Sequence, residues 1–209
     1  MLQILIADDH TVVRKGLRQI LLEEFPAAII EEVPDAAELI KKVMSSHWDM
    51  VISDISMPGK SGLDALHEIK NAFPNLPVLI LSIHPEEQYA IRALKSGASG
   101  YLSKDTAPDE LVKAVQKILL GKKYISQAIA EKLANTISGN TDKPLHEVLS
   151  DREFEVMKSL ANGKSVSEIA DMLSLNVTTV STYRARVMAK MDLKSNSDLT
   201  KYAIENNLM

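Results

Sequence analysis

The chain has 209 residues, of which 45% are hydrophobic and 25% are charged. This length suggests one or two domains, and the apolar fraction is ample for ordinary cores. Folds held by disulfides are excluded because there is no cysteine. The net charge of −4 argues against a basic surface that binds nucleic acid all round, but not against a small local binding face. The N-terminus lacks the regions of a signal peptide, and no apolar run reaches the roughly 20 residues that span a bilayer. We therefore expect a soluble, cytoplasmic protein without a membrane partner.

Short β-rich runs alternate with helical patterns in the first part of the chain. The predicted strands are Gln3–Ala7, Ile29–Val33, Met50–Ile55, Val78–Ile83 and Gly100–Leu102. The predicted helices are Val12–Glu24, Ala36–Ser45, Leu63–Ala72, Glu86–Lys95 and Pro108–Leu120. Two strands are almost wholly apolar, which is typical of strands buried on both faces of a parallel sheet. Five strand–helix repeats predict an α/β doubly wound fold with a five-stranded parallel sheet, whose functional crevice lies at the carboxyl ends of the strands.

The pattern changes after Gly121, where a helix is predicted over Ser126–Ile137. The stretch S-G-N-T-D-K-P that follows has the composition of a turn or linker, and only short helical periods come after it. We therefore divide the chain into a first domain (residues 1–122), a linker with a helix (123–145) and a small all-α second domain (146–209).

Capping signatures mark the helix starts of the second domain. Serines 150 and 165 are each followed three residues later by glutamate, which fits the capping box. The predicted helices Val166–Leu173 and Val177–Met191 are separated by only three residues, the last of which, Asn176, can cap the second helix. Two helices joined by such a turn form a helix-turn-helix.

Charged residues stand at three strand ends of the predicted sheet. The first strand ends in Asp8-Asp9, the third in Asp54, and the last runs into Lys104. In a parallel sheet these groups emerge at one edge, where clustered carboxylates raise each other's pKa unless a cation offsets them. Mg²⁺ is the natural candidate, with Asp54 as a nucleophile towards phosphorus and Lys104 sharing the phosphoryl charge. The hydroxyl of Ser82, at the end of the fourth strand, can turn towards the new phosphate.

These motifs, D-D, then D-I-S-M-P-G-x-x-G, then a hydroxyl residue and then an aromatic before L-S-K, resemble the receiver domain of bacterial two-component response regulators over residues 2 to about 122. The resemblance implies a flavodoxin-like receiver fold in which Asp54 is the phosphoacceptor and Ser82 and Tyr101 are the switch pair. It also implies that Lys104 binds the phosphate. The implied Mg²⁺ ligands are Asp9, Asp54, the backbone carbonyl of Ser56 and, through water, Asp8. On phosphorylation Ser82 turns towards the phosphate and Tyr101 moves inward. The five histidines, at positions 10, 47, 67, 84 and 146, have no mutual metal-ligand spacing, and we interpret them as structural.

The third helix of the second domain has a periodic inward stripe. Val180, Val187 and Met191 mark this stripe, and the opposite face is small and polar with one arginine. Such a face can lie close to a major groove, and nearby basic residues can neutralise phosphates. These basic residues are Arg184, Arg186, Lys190, Lys164 and Lys194. A solvated helix in a small bundle has the same pattern, so the residues alone leave both interpretations open.

Residues 146–209 also resemble the LuxR-type helix-turn-helix of NarL/FixJ response regulators, on L-S-D-R-E-F-E-V, G-K-S-V-S-E-I-A-D-M-L and T-T-V-S-T-Y-R-A-R-V-M-A-K-M. The resemblance implies base contacts by Ser181, Thr182 and Ala185. Many relatives carry a histidine where this chain has Tyr183, and basic residues where it has Ser181 and Ala185. These differences bear on which DNA sequence is bound, not on whether DNA is bound. The last helix pairs two such domains in that family, which makes Leu199, Tyr202 and Ala203 dimer or core residues.

These observations together predict a transcription factor switched by phosphorylation of Asp54. The expected partners are a sensor histidine kinase, promoter DNA, a second copy of the chain on activation and RNA polymerase. The expected chemistry is limited to the receiver's own phosphotransfer and slow autodephosphorylation. A phosphohydrolase is disfavoured because Ser56 stands where such enzymes commonly carry a second aspartate. The remaining alternative is a constitutive DNA-binding regulator whose receiver serves only as a dimerisation module.

Overall fold

In the computed structural model, which describes residues 1–137 and 144–209, five parallel strands form one sheet in the order β2-β1-β3-β4-β5. The strands are β1 Gln3–Ala7, β2 Ile29–Val33, β3 Met50–Asp54, β4 Val78–Ser82 and β5 Gly100–Ser103. The helices of this part are α1 Thr11–Glu24, α2 Ala36–Ser45, α3 Gly62–Ala72, α4 Glu86–Lys95, α5 Ala107–Leu119 and α6 Gln127–Ile137. The predicted doubly wound fold is confirmed, and element ends differ from the predicted ones by one residue at most.

The strand order places the topological switch point of the sheet between β1 and β3. From β1 the chain goes to β2 on one side and then to β3 on the other. Every residue of β3 and β4 is buried. Alternate side chains such as Ile4 and Ile6 enter a core shared with Leu17 and Leu111 of the flanking helices. The crevice above the carboxyl ends of β1 and β3 is therefore held by rigid, buried strands.

The free edge of β5 is covered by the segment that follows α5. Tyr124 forms a parallel bridge with Gly100, and its carbonyl accepts a hydrogen bond of 3.2 Å from the amide of Tyr101. A Cβ at Gly100 would lie 2.7 Å from that carbonyl oxygen, so only glycine permits this approach. Ile129 of α6, the helix that follows this segment, is buried as well. A protected edge limits pairing with other chains.

The chain divides into two compact units, Met1–Asn140 and Thr141–Met209. The predicted linker 123–145 straddles this division, and its residues 138–143 lie outside the described residues. Over residues 1–137 and 144–209, no helix combines the length and the apolar character needed to cross a membrane.

Four helices follow a short 3₁₀ helix, Leu145–Val148, in the second unit. They are α7 Asp151–Ala161, α8 Val166–Leu173, α9 Val177–Met191 and α10 Asn196–Glu205. Ser174 takes a left-handed conformation (φ 52°) and ends α8, while the side chain of Asn176 accepts the amide of Thr178 and starts α9. The predicted helix-turn-helix is confirmed, with Val180 and Val187 of the inward stripe fully buried.

Candidate functional site

Two buried aspartates and one lysine meet at the carboxyl edge of the sheet. Asp8 follows β1 and Asp54 ends β3, and their side chains are 1% and 2% exposed. Lys104, just after β5, places its Nζ 2.6 Å from Asp8 Oδ2 and 2.8 Å from Asp54 Oδ2. The structure thus brings together three of the predicted residues, which are 46 or more positions apart in the sequence.

Burial dominates the electrostatics of Asp54. Desolvation raises the pKa of its carboxyl group, although the hydrogen bond to Lys104 and the charge of that lysine oppose the shift. Burial alone would lower the pKa of Lys104, but its hydrogen bonds to Asp54 and Asp8 and their charges outweigh burial and raise it. Asp54 Oδ1 is buried and has no hydrogen-bond partner among the described residues. The carboxylate therefore has one oxygen neutralised by lysine and one free to react.

The acidic cluster has the donor set of a hard divalent cation. Ligand atoms from Asp8, Asp9, His10 and Asp54 all lie within 4.8 Å of one another. Asp9 is 29% exposed and His10 is 67% exposed, so the cluster opens to solvent on the β1 side. Carboxylate oxygens with room for retained water suit Mg²⁺. The residues present fit the predicted metal.

The loop after β3 folds back onto the phosphoacceptor candidate. The amide of Gly62 donates to the carbonyl of Ile55 (2.9 Å), and a Cβ at Gly62 would lie only 1.8 Å from the carbonyl oxygen of Asp54. Ser61 then starts α3 with a capping box shared with Asp64. Glycine at position 62 is therefore required for α3 to begin so close to the end of β3.

Ser82 and Tyr101 are both buried and both contact His84. The Oγ of Ser82 accepts the amide of His84 at 2.9 Å, and the hydroxyl of Tyr101 donates to the His84 carbonyl at 2.8 Å. The His84 ring lies 2.9 Å from Ser56 Oγ and stacks on Tyr89 at 4.6 Å. Tyr101 is only 1% exposed, and burial raises its pKa. The Tyr101 ring thus already lies inside in this conformation, and its movement on phosphorylation stays a prediction.

Two histidines join the site although we interpreted both as structural. His10 Nδ1 lies 2.6 Å from Asp9 Oδ1, and His84 connects the loop after β3 with the loop after β4. Their positions gave a usable signal, because each lies within two residues of a site residue at a strand end. Gly62 was also missed as a close-approach position, since the sequence alone does not show which backbone atom its Cα faces.

The outward face of α9 is exposed as the sequence predicts. Ser181, Thr182, Ala185 and Arg186 are all exposed. Arg184 is half-buried, and its guanidinium donates to Asn196 Oδ1 at 2.9 and 3.1 Å. No hydrogen bond or ion pair involves Arg186 within the described ranges, so its charge is available for a ligand.

The other basic side chains of this unit differ in how they are engaged. Lys190 Nζ lies 2.7 Å from Glu153 Oε2, whose side chain is 4% exposed. The charge of Lys190 is thus paired inside the unit in this structure, and its phosphate contact stays a prediction. Lys164 Nζ lies 2.9 Å from the Met172 sulfur, and Lys194 is exposed between α9 and α10.

Two of the three dimer candidates lie in the core of their own unit. Leu199 and Ala203 are fully buried, so their side chains cannot reach a second copy in this conformation. The hydroxyl of Tyr202 is 2.9 Å from His146 Nδ1 and accepts the His146 amide at 3.2 Å. The sequence left a dimer or a core role open for Leu199 and Ala203, and their burial corrects the dimer role to a core role. Ile204, 61% exposed, is the large apolar side chain that α10 presents to solvent.

Two family models match the chain. Residues 4–116 match the response regulator receiver domain, and residues 147–203 match the bacterial regulatory proteins of the luxR family. The first match covers the sheet and the acidic cluster, and the second covers the helix-turn-helix.

Similar proteins align over the whole length of this chain. The oxygen regulatory protein NreC of Staphylococcus carnosus is 35% identical over 215 residues, covering 100% of this chain and 99% of that protein. The response regulator UvrY of Escherichia coli K12 is 32% identical over 209 residues, covering 100% and 96%. RcsB from Salmonella enterica serovar Typhimurium, solved on promoter rprA with the phosphomimetic BeF₃⁻, is 28% identical with a TM-score of 0.63 over 97% of this chain and 98% of that one. The chain belongs to the NarL/FixJ family of response regulators, with a receiver domain followed by a LuxR-type helix-turn-helix domain.

Proposed function

We propose that this protein is a cytoplasmic transcription factor switched by phosphorylation of Asp54, with a sensor histidine kinase as the phosphoryl donor. One observation carries the proposal: the Asp54 carboxylate is buried at the end of β3, with Oδ2 on Lys104 and Oδ1 without a partner. An acid held rigidly in this way reacts only with a group that enters the crevice from solvent.

In the transfer step, Asp54 Oδ1 attacks phosphorus, and the bond between phosphorus and the kinase histidine breaks as the new P–O bond forms. Asp9, Asp54, the Ser56 carbonyl and, through water, Asp8 would hold Mg²⁺, which would supply positive charge towards the phosphoryl oxygens. Lys104, already 2.8 Å from Asp54, supplies a second positive charge from the β5 side. The chemistry ends at this transfer and at slow hydrolysis, because Ser56 offers no carboxylate for acid–base turnover.

The new phosphate acts on the switch through Ser82. Its hydroxyl is occupied by the amide of His84, so turning towards a phosphoryl oxygen breaks that bond and frees the loop after β4. The same loop holds the Tyr101 hydroxyl through the His84 carbonyl. Phosphorylation thereby repacks the start of α4 and shifts the population towards a form that dimerises.

DNA binding is assigned to the exposed face of α9. Ser181, Thr182 and Ala185 face the bases, and Arg186 with Lys164 and Lys194 reaches the phosphates. The Arg184 guanidinium, which donates to Asn196 Oδ1, can donate to a phosphate oxygen instead when DNA is bound. Support comes from RcsB, which is solved on promoter DNA and as two dimers bound to two parallel DNAs. RNA polymerase is the partner through which a promoter-bound dimer acts.

The test is the intact mass of the full chain after incubation with a small-molecule phosphodonor and Mg²⁺. Wild type should gain one phosphoryl group, whereas Asp54→Ala should gain none and Asp109→Ala, which removes an exposed aspartate of α5, should behave as wild type. A chelator should abolish the gain. Promoter affinity measured before and after phosphorylation should rise only in proteins that retain Asp54.

The absence of any mass gain in wild type would refute the phosphorylation switch. Equal DNA affinity of wild type and Asp54→Ala, with and without donor, would then favour a constitutive DNA-binding regulator whose receiver only dimerises.

A further inference from the structure

Arg14, in the first turn of α1, has a nearly buried guanidinium beside the acidic cluster. Its side chain is 12% exposed. Its Nη1 donates to the backbone carbonyl of Asp8 at 2.5 Å, and its Nη2 donates to Thr11 Oγ1 at 3.1 Å. Its Nε lies 3.6 Å from Glu32 Oε2 on β2, a charge contact rather than a hydrogen bond. One side chain thus joins the end of β1, the start of α1 and the neighbouring strand.

The side chains of the turn that carries the two N-terminal aspartates are held by Lys104, 2.6 Å from Asp8 Oδ2, and by His10, 2.6 Å from Asp9 Oδ1, but its backbone has fewer contacts. The amide of Asp8 donates to Val33 at 3.3 Å, and Asp8 Oδ1 accepts the amide of His10 at 2.8 Å. Helix α1 begins without a side-chain cap and without an acidic residue in its first turn. The Asp8 carbonyl, from which the chain leaves the sheet, is held by Arg14. Removing that contact therefore loosens the backbone path of the turn, which sets where Asp9 stands relative to the Asp8 carboxylate that Lys104 holds.

The shape of the arginine side chain matters here as well as its charge. A guanidinium donates in several fixed directions, whereas an ammonium on a flexible stem cannot hold Asp8 and Thr11 in the same geometry. The charge of Arg14 is also offset by Glu32. The contribution of Arg14 to the site is therefore mainly geometric.

We infer that Arg14 is a positioning residue that holds the Asp8–Asp9 turn in the shape that receives the divalent cation. The inference rests on the proposed Mg²⁺ site and adds a residue that supports the ligands from outside. Partners that orient metal ligands from outside typically contribute 10- to 100-fold to metal affinity.

The chain provides a matched control in Arg18, one turn further along α1. Its Nε lies 3.8 Å from the same glutamate, Glu32, but its side chain is 48% exposed and makes no described contact with Asp8. Arg14→Met and Arg18→Met each remove one arginine facing Glu32. Only Arg14→Met also removes the hydrogen bond to the Asp8 carbonyl.

Calorimetric titration of the full chain with Mg²⁺ alone tests the inference. Arg14→Met and Arg14→Lys should each raise the dissociation constant about tenfold. Arg18→Met should stay within about twofold of wild type. Thr11→Val, which leaves Arg14 in place but removes its second hydrogen bond, should raise the constant about threefold. This mild substitution keeps the test valid if the Arg14 variants fold poorly.

A second readout separates positioning from catalysis. The Mg²⁺ concentration that half-saturates phosphorylation should rise about tenfold in Arg14→Met, while the rate at saturating Mg²⁺ stays near that of wild type. Wild-type affinity in the Arg14 and Thr11 variants would overturn the inference and leave the proposed function intact. An equal loss in Arg18→Met would also overturn it, because a general charge effect would then suffice. Absence of Mg²⁺ binding by wild type itself would overturn both.

Discussion

Each unit of this protein contains a lysine paired with a buried carboxylate, yet the pKa of the acid is raised in one pair and lowered in the other. In the receiver, Lys104 bridges Asp8 and Asp54 at 2.6 and 2.8 Å. In the helical unit, Lys190 lies 2.7 Å from Glu153. The distances are alike, so the difference lies in what surrounds each acid.

Glu153 differs from Asp54 in that one of its carboxylate oxygens, Oε2, accepts two strong hydrogen bonds. Besides Lys190, Oε2 accepts the amide of Ser150 at 2.8 Å, and the Glu153 amide donates to Ser150 Oγ, which completes a capping box. Burial would raise the pKa of Glu153, but the hydrogen bonds from Lys190 and Ser150 outweigh it and lower that pKa. For Asp54 burial prevails, and Oδ1 has no partner.

An acid whose hydrogen bonds outweigh its burial and lower its pKa stabilises the fold, whereas an acid whose burial prevails and raises its pKa is held ready for chemistry at a cost in stability. Functional sites are where such local violations are expected. The comparison therefore predicts that removing the two charges changes stability in opposite directions.

The largest expected effect is the loss of Glu153. Glu153→Ala removes the capping box of α7 and leaves Lys190 without its partner, which should cost the helical unit about 2 kcal/mol. Hydrogen exchange of the α7 and α9 amides, followed by mass spectrometry of the full chain, measures this loss. Glu168→Ala is the matched control, because Glu168 completes the same capping box at α8 but is exposed. It should cost clearly less.

Equal losses in the two variants would mean that the Lys190 contact contributes nothing beyond the cap. The contrast between the two lysine–acid pairs would then reduce to helix capping.

The second expected effect has the opposite sign. Asp54→Asn keeps the shape of the side chain but removes a buried charge that repels Asp8, while Lys104 retains Asp8 as its partner. Without Mg²⁺ the receiver should gain about 1 kcal/mol of unfolding free energy. Trp48, the single tryptophan of the chain, is buried in the receiver and reports its unfolding by fluorescence. A destabilised Asp54→Asn would contradict the view that the acidic site is held at a cost.

The contributions of Asp54 and Glu153 to stability should depend on pH in opposite directions. Because the pKa of Asp54 is raised on folding, its ionisation destabilises the receiver as pH rises from 3.8 through the folded pKa. The advantage of Asp54→Asn should therefore be full above the folded pKa and vanish below pH 3.8. The pKa of Glu153 is lowered, so its stabilisation is present above 4.5 and is lost as pH falls through the folded value. Denaturant titrations at a series of pH values measure both trends.

The sequence predicted most of the fold because its signals are local. Strand and helix periods placed every element of the sheet, and the capping residues placed α7, α8 and α9. Asp8, Asp54 and Lys104 were predicted to meet because parallel strands bring their carboxyl ends to one edge.

What the sequence did not predict depends on contacts between distant positions. Lys190 has the spacing of a DNA contact, and nothing local shows that Glu153, 37 residues earlier, binds it. Leu199 and Ala203 fit a dimer stripe as well as a core stripe, because both are apolar at helical spacing. The β5 edge is covered by Tyr124, whose side chain gives no sign of pairing. These contacts depend on tertiary packing, which overrides the local sequence pattern.

The smallest expected effect concerns the two basic residues of α9 that the comparison separates. Arg186 is exposed and has no partner within the described residues, whereas the charge of Lys190 is used by Glu153. Arg186→Met should lower the slope of log binding constant against log salt concentration by about one, because one phosphate contact is lost. Lys190→Met should leave that slope near its wild-type value while destabilising the helical unit. Fluorescence anisotropy with promoter DNA at several salt concentrations distinguishes them. A reduced slope for Lys190→Met would show that the lysine leaves Glu153 on DNA, and the pair in the helical unit would then be a switchable contact rather than a purely structural one.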